Sequence, residues 1–136
     1  MSRRIARDDA YKLVFGYLFS KEIDEQTKSI MLADDSMSDS DVEYLNNVVN
    51  GVCEHYDELV EMIADNAKNF KIDRIYKPDL AGLLVAIYEM KYIDDIPLSV
   101  SISEIVELVK TYSTEKSHVF VNGVLSGVYK QLTKKD

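Results

Sequence analysis

One cysteine, two prolines, five glycines and no tryptophan are all that 136 residues contain of these types. A lone Cys53 cannot close an internal disulfide, and inside a helical pattern it reads as a buried structural thiol. Few prolines and glycines, and few alternating apolar runs, leave little material for turns and strands and point to helices. No apolar stretch approaches the roughly twenty residues a bilayer requires, and no apolar leader opens the chain, so a cytoplasmic protein is expected. Low-complexity tracts are missing too, and with 46% apolar residues disorder is excluded. His55 has no cysteine or second histidine at ligand spacing, the carboxylates form no acid–base pair, and no glycine-rich loop could cradle a cofactor. Neither metal, cofactor nor catalysis is expected.

Positive charge is the scarcer sign, with 16 Lys and Arg against 24 Asp and Glu for a net charge of −8. On its face that opposes nucleic-acid binding, but the distribution is uneven. Residues 1–20 hold four basic and two acidic groups, residues 21–70 three basic and thirteen acidic, and residues 71–136 nine of each. The acid sits in the middle, whereas the opening carries Arg3, Arg4 and Arg7. Such asymmetry marks where a polyanion could lie.

What the chain does have is an uncharged run, Leu80 to Tyr88. On a helical wheel its apolar residues leave no polar side, so the helix must be surrounded by protein. Pro78 suits its first turn, where a missing N–H is harmless. A single domain of 136 residues built around this central helix is the expected all-α architecture.

Helices are expected around it in order. The first runs from about Arg3 to Phe19 with Ser2 as N-cap, and Ala6, Ala10, Leu13, Val14 and Tyr17 facing inward. A short helix over Glu25–Ala33 and a loop over Asp34–Ser40 follow, with Asp39 or Ser40 capping the next helix. Apolar residues then recur at Val42, Leu45, Val49, Val52, Tyr56, Leu59, Ile63, Ala67 and Phe70, with a break near His55–Tyr56. Lys71 to Lys77 connect to the central helix, and Asp94, Asp95 and Pro97 end it. Ser99 or Ser101 starts a helix with Ile102, Ile105, Val106, Val109 and Tyr112 inward. Ser113 or Thr114 caps the last, whose stripe is Val121, Val124, Leu125, Val128 and Leu132, with Lys130, Lys134 and Lys135 at its cationic end. Asn50-Gly51 and Asn122-Gly123 look like hairpin turns, but spacing of three and four continues across both. Both are expected to be helical, each glycine costing about 1 kcal/mol against alanine in return for a close helix approach.

Arg3, Arg4 and Arg7 fall on one arc of the first helix with Tyr11 and Phe15. Guanidinium groups for phosphate, interleaved with rings for unstacked bases, suit single-stranded nucleic acid. The plainer reading is a solvated helix start with aromatics at the core's edge. Three arginines at a helix N-terminus oppose the macrodipole, which favours the functional reading.

Several segments together resemble the NusB transcription antitermination family. They are the opening RRIARDDA, Ala86–Glu89 (AIYE), Ile96–Pro97, Ile102–Tyr112 (ISEIVELVKTY) and above all Ser117–Leu125 (SHVFVNGVL). The resemblance implies an all-helical fold of two small three-helix-type bundles, about 1–70 and 71–136. It implies binding of boxA-type single-stranded leader RNA together with the ribosomal protein NusE, in an antitermination complex on RNA polymerase, as a monomer or homodimer. The RNA-binding positions it implies are Arg3, Arg4, Arg7, Tyr11, Lys116, His118 and Phe120, with core packing as the other reading of Phe120. Phe15 and Asp79 match positions on the NusE-facing surface. Ile5 and Leu84 stand where relatives often carry a basic residue, and Lys116 where an acid can occur. Glu89 is expected to be structural, accepting backbone N–H groups from a nearby helix start.

Three engaged arginines predict a salt slope of roughly −2 in log K against log[salt] at about 0.7 per phosphate. Weak binding by the protein alone, strengthened by a basic partner, is therefore expected. Two other readings compete. In one, the acidic 21–70 region docks basic partners and the chain is a protein-interaction adaptor without RNA binding. In the other, the chain is the NusB-like domain of an RNA methyltransferase, against which its end at Asp136 and the missing cofactor loop are expected to count.

Overall fold

The uncharged run becomes the middle of helix α5 (Lys77–Tyr92), in a computed structural model that describes residues 2–67 and 70–134. The side chain of Ser2 and the tail residue Lys135, both named above, lie outside the described residues. Every residue from Asp79 to Met90 is buried. Pro78 occupies the first turn, with Asp79 there and Lys91 in the last turn, each on the side of the dipole that its charge favours. Helices α1 (Ser2–Ser20), α3 (Asp39–Glu54), α4 (Tyr56–Asn66), α6 (Leu98–Tyr112) and α7 (Ser117–Thr133) all pack against α5. Helix α2 (Glu25–Leu32) leans on α1, and a 3-10 turn (Ile72–Arg74) leads into α5. The described residues thus form seven α-helices and no strand. None of these helices is long and apolar enough to cross a membrane.

The expected inward stripes hold where position along the helix decides burial. Ala6, Ala10, Leu13 and Val14 of α1 are buried, as are Val121, Val124, Leu125 and Val128 of α7. They hold less well elsewhere: Val42, Tyr56, Ile102, Val106 and Leu132 are only half-buried, and three rings near element ends are not fully covered. Tyr17 is half-buried, Tyr112 is 43% exposed and Phe70 is 52% exposed. Cys53 is likewise only half-buried, and burial pushes its thiol up despite a hydrogen bond with Tyr17.

Helix starts differ from the expected ones for reasons that the side chains supply. Ser38, rather than Asp39 or Ser40, caps α3. Its Oγ accepts the Asp41 N–H (3.2 Å) and donates to Asp41 Oδ2 (2.7 Å), a reciprocal closure of the first turn. No side chain caps α6, which begins behind Pro97, or α7, which begins behind Lys116. Ser113 Oγ instead donates to Asp79 Oδ1 (2.6 Å), while Thr114 and Ser117 pair their hydroxyls (2.7 Å). These hydroxyls tie the start of α5 to the α6–α7 connection. The break at His55 is as expected, and its ring stacks on Tyr92 with centroids 4.5 Å apart.

Both Asn-Gly pairs are helical, yet only one glycine of the two admits a neighbour. A Cβ at Gly51 would overlap the Tyr88 ring, so the missing side chain lets α5 lie against α3. Gly123 has nothing within 4 Å of the same position, and the close approach expected there does not occur.

Candidate nucleic-acid interface

The arginines of α1 divide by depth. Arg7 is 3% exposed and grips Glu89 with both prongs, Nε at 2.8 Å and Nη2 at 3.0 Å. Glu89 also accepts from the Tyr44 hydroxyl and from Ser101 Oγ (2.8 Å), so one buried carboxylate fastens α1, α3 and α6 to α5. Its donors are side chains, not the backbone N–H groups expected. Burial alone would pull the Arg7 guanidinium down, but the hydrogen bond and charge of Glu89 outweigh it and raise it. Burial, and then the Glu89 charge, pushes the Tyr44 hydroxyl well up. Arg7 is therefore an internal fastener, committed to Glu89 through Nε and Nη2 and only 3% exposed.

Arg3 and Arg4 remain at the surface, each already on a carboxylate. Arg3 Nε reaches Asp41 Oδ1 at 2.8 Å, its Nη2 reaches Ser40 Oγ at 3.2 Å, and its guanidinium lies 4.6 Å from the Tyr44 ring centroid. The Arg4 side chain is 74% exposed and holds Glu104 in a fork, Nε to Oε1 at 3.0 Å and Nη2 to Oε2 at 3.3 Å.

Tyr11 does not join them. It is buried, stacks on Tyr112 (5.6 Å between centroids) and donates its hydroxyl to the Pro78 carbonyl at 3.0 Å. Burial and the charge of Asp79 raise its pKa. With Lys12, half-buried Phe15, Pro78 and Tyr112 it lines an apolar hollow of about 250 Å³. Around that hollow, Lys12 lies over the Tyr112 ring (5.4 Å), Phe15 meets Phe19 edge-on (5.0 Å) and Lys77 lies over Phe19 (5.5 Å). Asp79 is buried and spends an oxygen on Ser113, so it shapes this face from beneath and does not project from it.

Lys116, His118 and Phe120 form a separate group at the start of α7. Lys116 is exposed, His118 half-buried, and half-buried Phe120 packs edge-on against Phe70 at 4.9 Å. Glu104 and the end of α6 are about eight residues apart, roughly 12 Å of helix. Arg4 thus meets the middle of α6, whereas the α7 group begins beyond its C-terminal end. Sequence reasoning missed Phe19, Tyr76 and Phe70 as exposed aromatics. The spacing of Phe15 and Phe19, one helical turn apart, was the available signal for the first.

A profile of the NusB family matches residues 4–130. The chain belongs to the NusB family. The transcription antitermination protein NusB of Finegoldia magna is 38% identical over 131 residues, 96% of each chain. NusB of T. maritima superposes with a TM-score of 0.85 at 28% identity, covering 96% of this chain and 92% of that one. A structure of the antitermination factors NusB and NusE in complex with double-stranded RNA contains a chain that superposes with a TM-score of 0.81 at 27% identity, covering 96% and 97%. Transcription antitermination, a non-enzymatic role, is the function of this NusB-family chain. Among the described residues no group of three His, Cys, Asp or Glu could hold a metal ion.

Proposed function

We propose that this NusB-family protein binds boxA-type single-stranded leader RNA jointly with NusE, as part of an antitermination complex on RNA polymerase. The observation that carries this reading is the likeness, over nearly the whole chain, to a NusB solved with NusE and RNA. The residues offered to RNA are Arg3 and Arg4 at the start of α1, and Lys116, His118 and Phe120 at the start of α7. Arg7 and Tyr11 act from inside. The aromatic hollow beside Phe15 is the surface offered to NusE, with Asp79 supporting it. The body beneath reads as two small bundles, about 1–70 and 71–136. Packing of α1 on α3 in the one, and of α5, α6 and α7 on one another in the other, supports that division, with α1, α3 and α4 packed across the boundary on α5 and α7.

Arg3, Arg4 and Lys116, at about 0.7 logarithmic units each, give a salt slope of roughly −2. The overall charge of −8 weakens binding by the protein alone. Fluorescence anisotropy with a boxA-type single strand and a duplex control, with and without NusE, tests the reading. Weak binding alone, strengthened by NusE and reduced by Arg4→Ala without loss of thermal stability, is the expected result. Absent RNA binding at low salt with NusE binding retained would instead establish the adaptor reading.

A further inference from the structure

Glu104 occupies an unusual position for an acid. It lies in a cleft of about 160 Å³ between α1 and α6, lined by Arg4, Arg7, Glu107, Leu108 and Thr111. Its two oxygens take both prongs of Arg4, at 3.0 and 3.3 Å, and Arg7 Nη1 lies 3.7 Å from Oε1. A guanidinium fork grips carboxylate and phosphate by the same two-pronged geometry. The Glu104 carboxylate therefore sits where a phosphate group of a bound strand would be held. The two partners differ in freedom: the Glu104 side chain is 20% exposed and set against the protein, whereas Arg4 projects into solvent. Arg7 cannot follow a phosphate outward, because its Nε and Nη2 are held by Glu89.

We propose that Glu104 is an intramolecular competitor of RNA phosphate for Arg4, and so limits the affinity of the α1 surface for RNA. This rests on the reading that RNA contacts the start of α1. To take a phosphate, Arg4 must release Glu104, so its guanidinium exchanges one anion for another and the net gain is small. Glu107 supplies an internal control. It lines the same cleft and carries the same charge, but its carboxylate pairs with Lys110 at 3.2 Å.

The test measures anisotropy of a single-stranded RNA oligonucleotide at several salt concentrations for wild type, Glu104→Gln, Glu107→Gln, Arg4→Ala and the Arg4→Ala/Glu104→Gln double variant. An exposed ion pair of this kind shifts an equilibrium by about two- to five-fold, so Glu104→Gln is expected to tighten binding by that factor at low salt. Its salt slope should steepen by up to about 0.7, because Arg4 then neutralises a phosphate and frees its condensed cation without leaving an unpaired Glu104 to take one up. The gain should vanish in the Arg4→Ala background and be absent in Glu107→Gln. Equal gains in the two glutamine variants, or a gain that survives loss of Arg4, would overturn the proposal by showing a diffuse charge effect. A loss in Arg4→Ala without any gain in Glu104→Gln overturns it while leaving the RNA reading intact. Equal binding by wild type, Arg4→Ala and Glu104→Gln removes the α1 reading and the proposal together. Should Glu104→Gln unfold, the Nε–H resonances of the wild type decide. Added RNA is expected to move that of Arg4 and leave that of Arg7 in place, and an unmoved Arg4 resonance overturns the proposal.

Discussion

Replacing Glu89 is the most informative perturbation of this structure, because one fully buried carboxylate serves three helices. In Glu89→Leu the Arg7 guanidinium stays inside, 3% exposed, with its fork empty and only Glu104, 3.7 Å from Nη1, nearby. The hydroxyls of Tyr44 and Ser101 lose their acceptor as well. Removing one partner of a buried ion pair costs about 3–5 kcal/mol, a large part of the roughly 5–15 kcal/mol that holds a domain together. With an unfolding entropy of about 2.1 cal/mol/K per residue, that loss lowers Tm by about 10–17 °C. Thermal melts followed by far-ultraviolet circular dichroism, with a denaturant titration for the free energy, measure it. The combination Arg7→Met, Tyr44→Phe, Glu89→Leu and Ser101→Ala removes every polar member at once. It should recover most of the lost stability, since an apolar replacement of similar volume spares the desolvation of the charges. A drop below about 3 °C in the single variant would refute the assignment of Glu89 as the fastener. A combination no more stable than the single variant would refute its desolvation basis.

The two Asn-Gly glycines should respond with opposite signs in the same melts. Gly51→Ala, forced into the Tyr88 ring, should cost about 1–3 kcal/mol, and Gly123→Ala in open space should stabilise by about 0.5–1 kcal/mol. Alkaline titration followed at the tyrosinate absorbance should leave Tyr11, Tyr44 and Tyr92 protonated beyond the ordinary range near 10. The hydrogen bond to Glu58 pushes Tyr92 up to about 12, while burial leads for the other two. Because these folded-state values are raised, their contribution is fully present below about pH 10 and is lost as pH climbs through them. Alkaline unfolding with all tyrosines titrating together near 10 would contradict this. Phe19→Ala should weaken NusE binding in a pull-down or calorimetric assay while changing RNA binding by the protein alone by less than two-fold. Phe19 is 62% exposed beside the hollow, so thermal stability should hardly move.

Local chemistry was enough to read the helices, because burial there follows from periodicity alone. An uncharged run without a polar side, Leu80 to Tyr88, had to become the covered helix, and the spacing of three and four through Asn50-Gly51 and Asn122-Gly123 had to be helical. The Ser38-x-x-Asp41 cap was also legible, one or two residues from where it was sought. The family resemblance, spread over five short segments, was legible in the same way. Tertiary structure alone decided the fate of the arginines. Arg3, Arg4 and Arg7 share one arc on a helical wheel, but Arg7 alone is itself buried, held by Glu89, supplied 82 residues away by α5. Nor could periodicity tell that Tyr112, the last residue of α6, would stay 43% exposed, or that Phe70 and Phe120 would meet. Pattern along one helix sets which side faces inward. How deep that side lies, and which charge finds a partner there, depends on where the other helices stop.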